Sequence, residues 1–217
     1  MKHSDPPHPP AALLLDVDGV LADTEGRWAE AERRLMDRAG AESVPRAAVR
    51  GITPAETYDI LTDRVDLTVA RETYVGWYDE AAAAVYADAP VLPGAGDLIA
   101  DVRAAGVPVA LVSSAHAGWV EAVRDRVGAA VDATVTGDEE VPGKPDPAPY
   151  ATAADRVGVD PCDCVAVDDS AVGVASAREA GAYVVGYGTD TEDRSAAHER
   201  STAPDALVAR LRELVEG

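Results

Sequence analysis

Phenylalanine is absent from this chain, and lysine occurs only twice, at Lys2 and Lys144. The remaining basic side chains are arginines, and 19 Lys+Arg stand against 39 Asp+Glu, for a formal charge of −20. A surface of that sign repels nucleic acid and anionic membranes, so neither is an expected partner. Cysteine is nearly missing too. Cys162 and Cys164 lie too close for a loop-closing disulfide and are too few for a structural zinc site, so both are expected as core-strand side chains. No run approaches the roughly 18 apolar residues of a membrane span. The opening stretch MKHSDPPHPP lacks the apolar segment of a secretory signal. The expectation is a cytoplasmic protein whose residues 1–10 form a disordered tail, with His3 and His8 inert within it. An acidic, lysine-poor, alanine-rich chain is compatible both with a GC-rich genome and with adaptation to high salt.

What is present is globular. With 47% hydrophobic and 27% charged residues over 217 positions, the chain can bury a core and suits one domain with a large insertion or two small domains. A first apolar run, LLLDVDGV, is followed by a helical pattern over 24–41, with Trp28, Ala31, Leu35 and Met36 on one face and Gly40 as a stop. Thr53 is placed to cap PAETYDIL, with Pro54 at the first helical position, and a long segment spans 68–88. No strand pattern occurs between 24 and 90, which therefore reads as a helical insertion. After the VLPGAG linker, helices at 95–105, 116–127, 147–157 and 171–181 alternate with strands at 107–114, 131–136, 163–169 and 182–188, and a last amphipathic helix covers 204–215. Apolar strands alternating with helices predict an α/β fold: a Rossmann-like, doubly wound parallel sheet. The core comprises 11–23 and 91–217, and the insertion 24–90.

Polar groups sit just after four of these strands: Asp16 and Asp18, Ser113 and Ser114, Lys144 in GKPDP, and Asp168, Asp169 and Ser170. Taken singly, each is explained by a turn or a helix cap. In a doubly wound sheet all carboxyl ends share one edge, so these residues are expected to converge. Clustered carboxylates there are costly without compensation, and a divalent cation is the simplest compensator. The combination suits phosphoryl transfer, in which a carboxylate nucleophile splits hydrolysis into two steps while a cation, a lysine and hydroxyl or amide donors meet the phosphoryl charge. Mg²⁺ needs only a few carboxylates beside the substrate phosphate.

At these positions the chain resembles the haloacid dehalogenase superfamily, in its β-phosphoglucomutase-like phosphatase branch. DVDGVLADTE matches the first motif, LVSS the second, GKPDPAPY the third and VDDSAVGVASAREAGA the fourth, over about residues 12–188. The helical insertion corresponds to that family's α-helical cap. The resemblance implies that Asp16 is the nucleophile. Asp18 would act as general acid and then base, with its carbonyl on Mg²⁺. Ser113 and the Ser114 amide would hold phosphoryl oxygens, Lys144 would neutralise charge beside Asp16, and Asp169 would be the main side-chain metal ligand after Asp16. Asp168 stands where a Glu is usual. The shorter arm leaves open whether it reaches the metal directly or through water.

Dehalogenases of the superfamily lack an aspartate at the position of Asp18, and phosphonoacetaldehyde hydrolases use a cap lysine, which this chain does not have. Phosphomutases carry a histidine where Trp28 stands and an arginine where Pro54 stands; Trp28 is more similar to sugar-phosphate phosphatases, or else a core aromatic of its helix. Gly51 matches a cap-loop glycine facing the site, or is a plain turn, and Arg46 or Arg50 could supply a basic group. His116 is expected in the first turn of its helix and His198 in solvent. The reading is a Mg²⁺-dependent phosphatase of a small phosphate ester, a sugar or polyol phosphate, working as a monomer or weak homodimer through an aspartyl phosphate. A sugar phosphomutase is the alternative. A catalytically silent binding domain is disfavoured because the nucleophile and metal carboxylates are all present.

Overall fold

A computed structural model describes residues 5–45, 54–188 and 196–216. The chain divides into two compact units, one of Met1–Asp23 with Pro90–Gly217 and one of Thr24–Ala89. The first is built on a six-stranded parallel sheet in the order β3-β2-β1-β4-β5-β6. Its strands are β1 (Ala12–Leu15), β2 (Val109–Val112), β3 (Ala133–Val135), β4 (Cys164–Asp168), β5 (Tyr183–Tyr187) and β6 (Glu199–Ser201). All residues of β1, β2, β4 and β5 are buried, the signature of strands covered on both faces. β1 lies between β2 and β4, with Leu13 in register with both Val109 and Val165. The chain order reverses there, so the sheet's switch point opens between the ends of β1 and β4.

Helices of this unit are α4 (Ala95–Ala104), α5 (Ala117–Val127), α6 (Ala148–Arg156), α7 (Ala171–Ala180) and α8 (Pro204–Glu216). One core cluster packs Leu14, Val112 and Ala166 of the sheet against Tyr150, Ala153 and Ala154 of α6 and Val174 and Ala177 of α7. The backbone leaves this unit and returns to it side by side, with the amide of Asp23 donating to the carbonyl of Pro90 and that of Leu92 to Leu21, both at 2.8 Å. The second unit holds α1 (Glu25–Ala39), α2 (Pro54–Thr62) and α3 (Arg71–Asp88). Leu35, Met36 and Ala39 of α1 pack with Leu61 of α2 and Tyr74 of α3. Among the described residues no helix is long and apolar enough to cross a membrane.

Three details differ from the sequence pattern. β6 was not anticipated, because three residues of sequence ERS carry neither apolar content nor alternation; the strand exists through pairing with β5. Cys164 does open a buried strand, where burial pushes its thiol up to about 12. Cys162 lies instead in the short 3-10 turn Pro161–Asp163 that precedes it. His198 is half-buried rather than solvated. Its ring stacks on Tyr183 with centroids 4.4 Å apart, and its Nδ1 accepts from the amide of Val184 at 2.8 Å, extending the sheet edge with a side chain.

Candidate active site

The buried run of β1 continues one residue past the strand, where the amide of Asp16 donates to Val167 at 3.0 Å and the side chain enters the switch point. Asp168 closes β4 beside it, fully buried. Lys144, from the loop between β3 and α6, fills the space between them. Its ammonium donates to Asp16 Oδ1 at 3.0 Å, Asp168 Oδ2 at 2.8 Å and the carbonyl of Val112 at 3.1 Å. Those three acceptors exhaust its three protons. The carboxyl ends of β1, β2 and β4 thus meet at one cation whose side chain is 5% exposed.

Asp18, half-buried, accepts from the hydroxyl of Ser113 at 3.2 Å, and that hydroxyl accepts from the amide of Ala115 at 3.0 Å. Ser113 is buried, whereas Ser114 is exposed. Gly137, after β3, supports this loop closely, for a Cβ there would lie 2.0 Å from the carbonyl oxygen of Ser114. His116 precedes the first turn of α5 instead of lying in it. As N-cap it accepts from the amide of Gly118 at 3.2 Å, with Nε2 3.4 Å from Asp138.

Asp16, Asp168 and Asp169 each offer an oxygen within 4.8 Å of the others. Asp169 approaches the backbone of Gly19 so closely that a Cβ at Gly19 would stand 1.8 Å from its Oδ2, and Gly19 has φ +70, which side chains rarely adopt. Burial pushes the carboxyl of Asp16 well above the usual range; Lys144 opposes that, and Asp168, Asp18 and Asp169 add to it. Asp168 is held below its ordinary value, because Lys144, Tyr150 and the amide of Ser170 together outweigh its own burial. Lys144 is raised by Asp16 and Asp168 despite its burial. Asp16, Asp168 and Asp169 form an all-oxygen donor set, and the Lys144 ammonium bonds two of its members, Asp16 and Asp168. That set fits a hard divalent cation such as Mg²⁺.

Two participants went unassigned from sequence. Tyr150 of α6, wholly buried, donates its hydroxyl to Asp168 Oδ2 at 2.6 Å, and its ring lies 5.1 Å from the Lys144 ammonium. Ser170 caps α7 while its amide and hydroxyl donate to Asp168 Oδ1 at 2.9 and 2.8 Å. Tyr150 ends the GKPDPAPY stretch, so its presence was visible and its partner was not.

In the helical unit, Trp28 packs on Tyr78 with centroids 5.2 Å apart and edge-on to Tyr86 at 6.1 Å. Pro54 opens α2. Gly51, Arg46, Arg50 and Thr53 lie outside the described residues.

A family profile of haloacid dehalogenase-like hydrolases matches residues 10–181. The chain belongs to the haloacid dehalogenase-like hydrolases. Within that family it lies in the branch that holds phosphatases and β-phosphoglucomutases. Validoxylamine A 7'-phosphate phosphatase of Streptomyces hygroscopicus subsp. limoneus is 30% identical over 93% of this chain and 94% of that protein. The bifunctional riboflavin kinase/FMN phosphatase of Arabidopsis thaliana is 29% identical over 81% of this chain, and the match spans 48% of the plant protein's length. Among solved structures of haloacid dehalogenase-like proteins, one assigned as a β-phosphoglucomutase from Thermotoga maritima superposes with a TM-score of 0.76 at 27% identity, covering 93% of this chain and 98% of that one.

Proposed function

We propose that this haloacid dehalogenase-like hydrolase is a Mg²⁺-dependent phosphatase of small phosphate esters, sugar or polyol monophosphates. The protein is a phosphoric monoester hydrolase, working as a monomer or weak homodimer. The observation that carries this reading is the buried contact of Lys144 with Asp16, 3.0 Å at the carboxyl end of β1, with Asp18 two residues on. Kinship to a phosphatase of validoxylamine A 7'-phosphate over nearly the whole of both chains supports the substrate class.

In the first step an Asp16 carboxylate oxygen attacks phosphorus. An oxygen–phosphorus bond forms, the ester bond breaks, and Asp18 gives its proton to the leaving alkoxide. In the second, Asp18 takes a proton from water, whose oxygen attacks the aspartyl phosphate and releases inorganic phosphate with Asp16 restored. Ser113 and the Ser114 amide bind phosphoryl oxygens, and Lys144 offsets their charge beside the nucleophile. Asp16, Asp169 and the Asp18 carbonyl would hold Mg²⁺, which supplies the remaining positive charge on the phosphoryl group. The helical unit acts as the cap that selects the substrate, with Trp28 and Gly51 as its contributions.

A panel of phosphorylated metabolites with Mg²⁺ is expected to release phosphate, to lose that activity under chelation and to regain it on re-addition. Full activity in excess chelator would overturn the metal mechanism. The likeness to an assigned β-phosphoglucomutase keeps a phosphomutase as the second reading. Against it, Trp28 and Pro54 occupy the places of a mutase's histidine and phosphate-gripping arginine. With β-glucose 1-phosphate and catalytic glucose 1,6-bisphosphate, glucose 6-phosphate formed much faster than free phosphate would decide for the mutase.

A further inference from the structure

Asp168 accepts four hydrogen bonds, from Lys144 and Tyr150 on Oδ2 and from the amide and hydroxyl of Ser170 on Oδ1. A carboxylate has about four lone-pair positions, so a cation bound directly to Asp168 would displace one of these partners. The residue is also immobilised from behind. A Cβ at Gly173 would come within 1.9 Å of its Oδ2, so the first turn of α7 closes on the carboxylate. Neither oxygen has room to swing.

We propose that Asp168 is not a metal ligand in this chain but the fixed counter-ion of Lys144, and that Tyr150 is the positioning residue that aims it. The 2.6 Å bond from a wholly buried phenol orients Oδ2 toward the ammonium, and the ammonium in turn is presented to Asp16. The replacement of a longer Glu by Asp thereby has a structural consequence. The shorter arm keeps the carboxylate against Tyr150 and α7, and the side-chain ligation of the cation falls to Asp16 and Asp169. This deepens the proposed phosphatase reading and rests on it for the reaction, though not for the arrangement of Tyr150, Asp168 and Lys144.

Because the chain has only two lysines, ¹⁵N-lysine labelling gives a direct reporter of that arrangement. The wild-type protein is expected to show one slowly exchanging ammonium signal, from Lys144, beside that of Lys2. Tyr150→Phe should shift and broaden it, and Asp168→Asn should abolish it. Calorimetry with MgCl₂ on metal-free protein should show Asp169→Asn binding Mg²⁺ about 100-fold more weakly, with Tyr150→Phe within about threefold of wild type and Asp168→Asn within about tenfold. In turnover normalised to the folded fraction measured on the same sample, Tyr150→Phe should lower kcat by about tenfold with KM little changed. An unaltered Lys144 signal in Tyr150→Phe, or Mg²⁺ binding lost as fully in Asp168→Asn as in Asp169→Asn, would overturn the proposal. Absence of phosphatase activity in the wild type would sink the functional reading alone, because the lysine signals need neither substrate nor metal.

Discussion

Charge is handled in opposite ways at the sheet's carboxyl edge and on the helical unit. At the edge, Lys144 is sealed between Asp16 and Asp168, with side-chain exposures of 5%, 7% and 0%. On α1, Arg33 and Arg34 meet Glu30 and Asp37 at one-turn spacing, with 48–72% of each side chain in water. Exposed pairs of the second kind contribute about 0.2–1 kcal/mol and serve mainly solvation. Burying a charge is expensive even when it is paired. Among the described residues the buried charges Asp16, Lys144 and Asp168 gather where the strand order reverses, the arrangement expected if that edge holds charge for chemistry.

The two regions should differ most at Lys144. Lys144→Met should leave Asp16 and Asp168 as buried carboxylates without their cation, costing about 3–5 kcal/mol of stability and eliminating turnover. Arg33→Ala on α1 should cost less than about 0.5 kcal/mol and leave turnover unchanged. Denaturant unfolding and phosphate release measured on both variants decide it, and equal losses would erase the distinction between the two regions.

A smaller effect is expected at Gly19. Its backbone combines φ +70 with the near contact to Asp169, so Gly19→Ala adds strain and pushes the carboxylate aside. Mg²⁺ affinity should fall about 10- to 100-fold, read by calorimetry, and an unchanged affinity would remove Asp169 from the cation site.

The surface charge should show itself through salt. With a formal charge of −20, self-repulsion opposes the compact state, and screening relieves it. If the composition is a halophilic adaptation, the melting temperature climbs between low and molar KCl; a flat response indicates a GC-rich mesophile instead.

A modest effect belongs to a partly exposed pair of the sheet unit. Asp132 accepts from Arg103 at 2.8 Å through both oxygens and from the amide of Val109 at 2.9 Å, and Arg103 above all holds its carboxyl below the ordinary value. A depressed folded-state pKa contributes stability above the unfolded value of about 3.9, and that contribution is lost as pH falls through the folded value. Asp132→Asn should therefore cost on the order of 1 kcal/mol at neutral pH. The two melting curves should converge on acidification below about pH 3.9, and a gap that persists there would assign the effect to something other than ionisation.

The alternation of apolar strands with helices was legible because fully buried parallel strands admit little but Ala, Leu and Val, as in ALLL, VALV and CVAVD. The polar residues after them stood out against that background, and the sheet draws Asp16, Lys144, Asp168 and Asp169 into one cluster. What escaped notice depends on partners distant in sequence. β6 forms only through β5, and His198 is ordered by Tyr183 and Val184 despite its polar neighbours. Tyr150 stood in the GKPDPAPY stretch, but nothing in the sequence paired its hydroxyl with Asp168. Helix spacing alone, likewise, did not show that Trp28 is shared between Tyr78 and Tyr86.

Whether Asp16 carries the phosphoryl group is decided by acid-quenching the enzyme during turnover of a good substrate and mapping the modified peptide by mass spectrometry. One added phosphoryl group is expected on the peptide containing Asp16 and none in Asp16→Asn, which should also be inactive while remaining folded. Phosphate release at the wild-type rate by Asp16→Asn, or a phosphoryl group found on another residue, would contradict it.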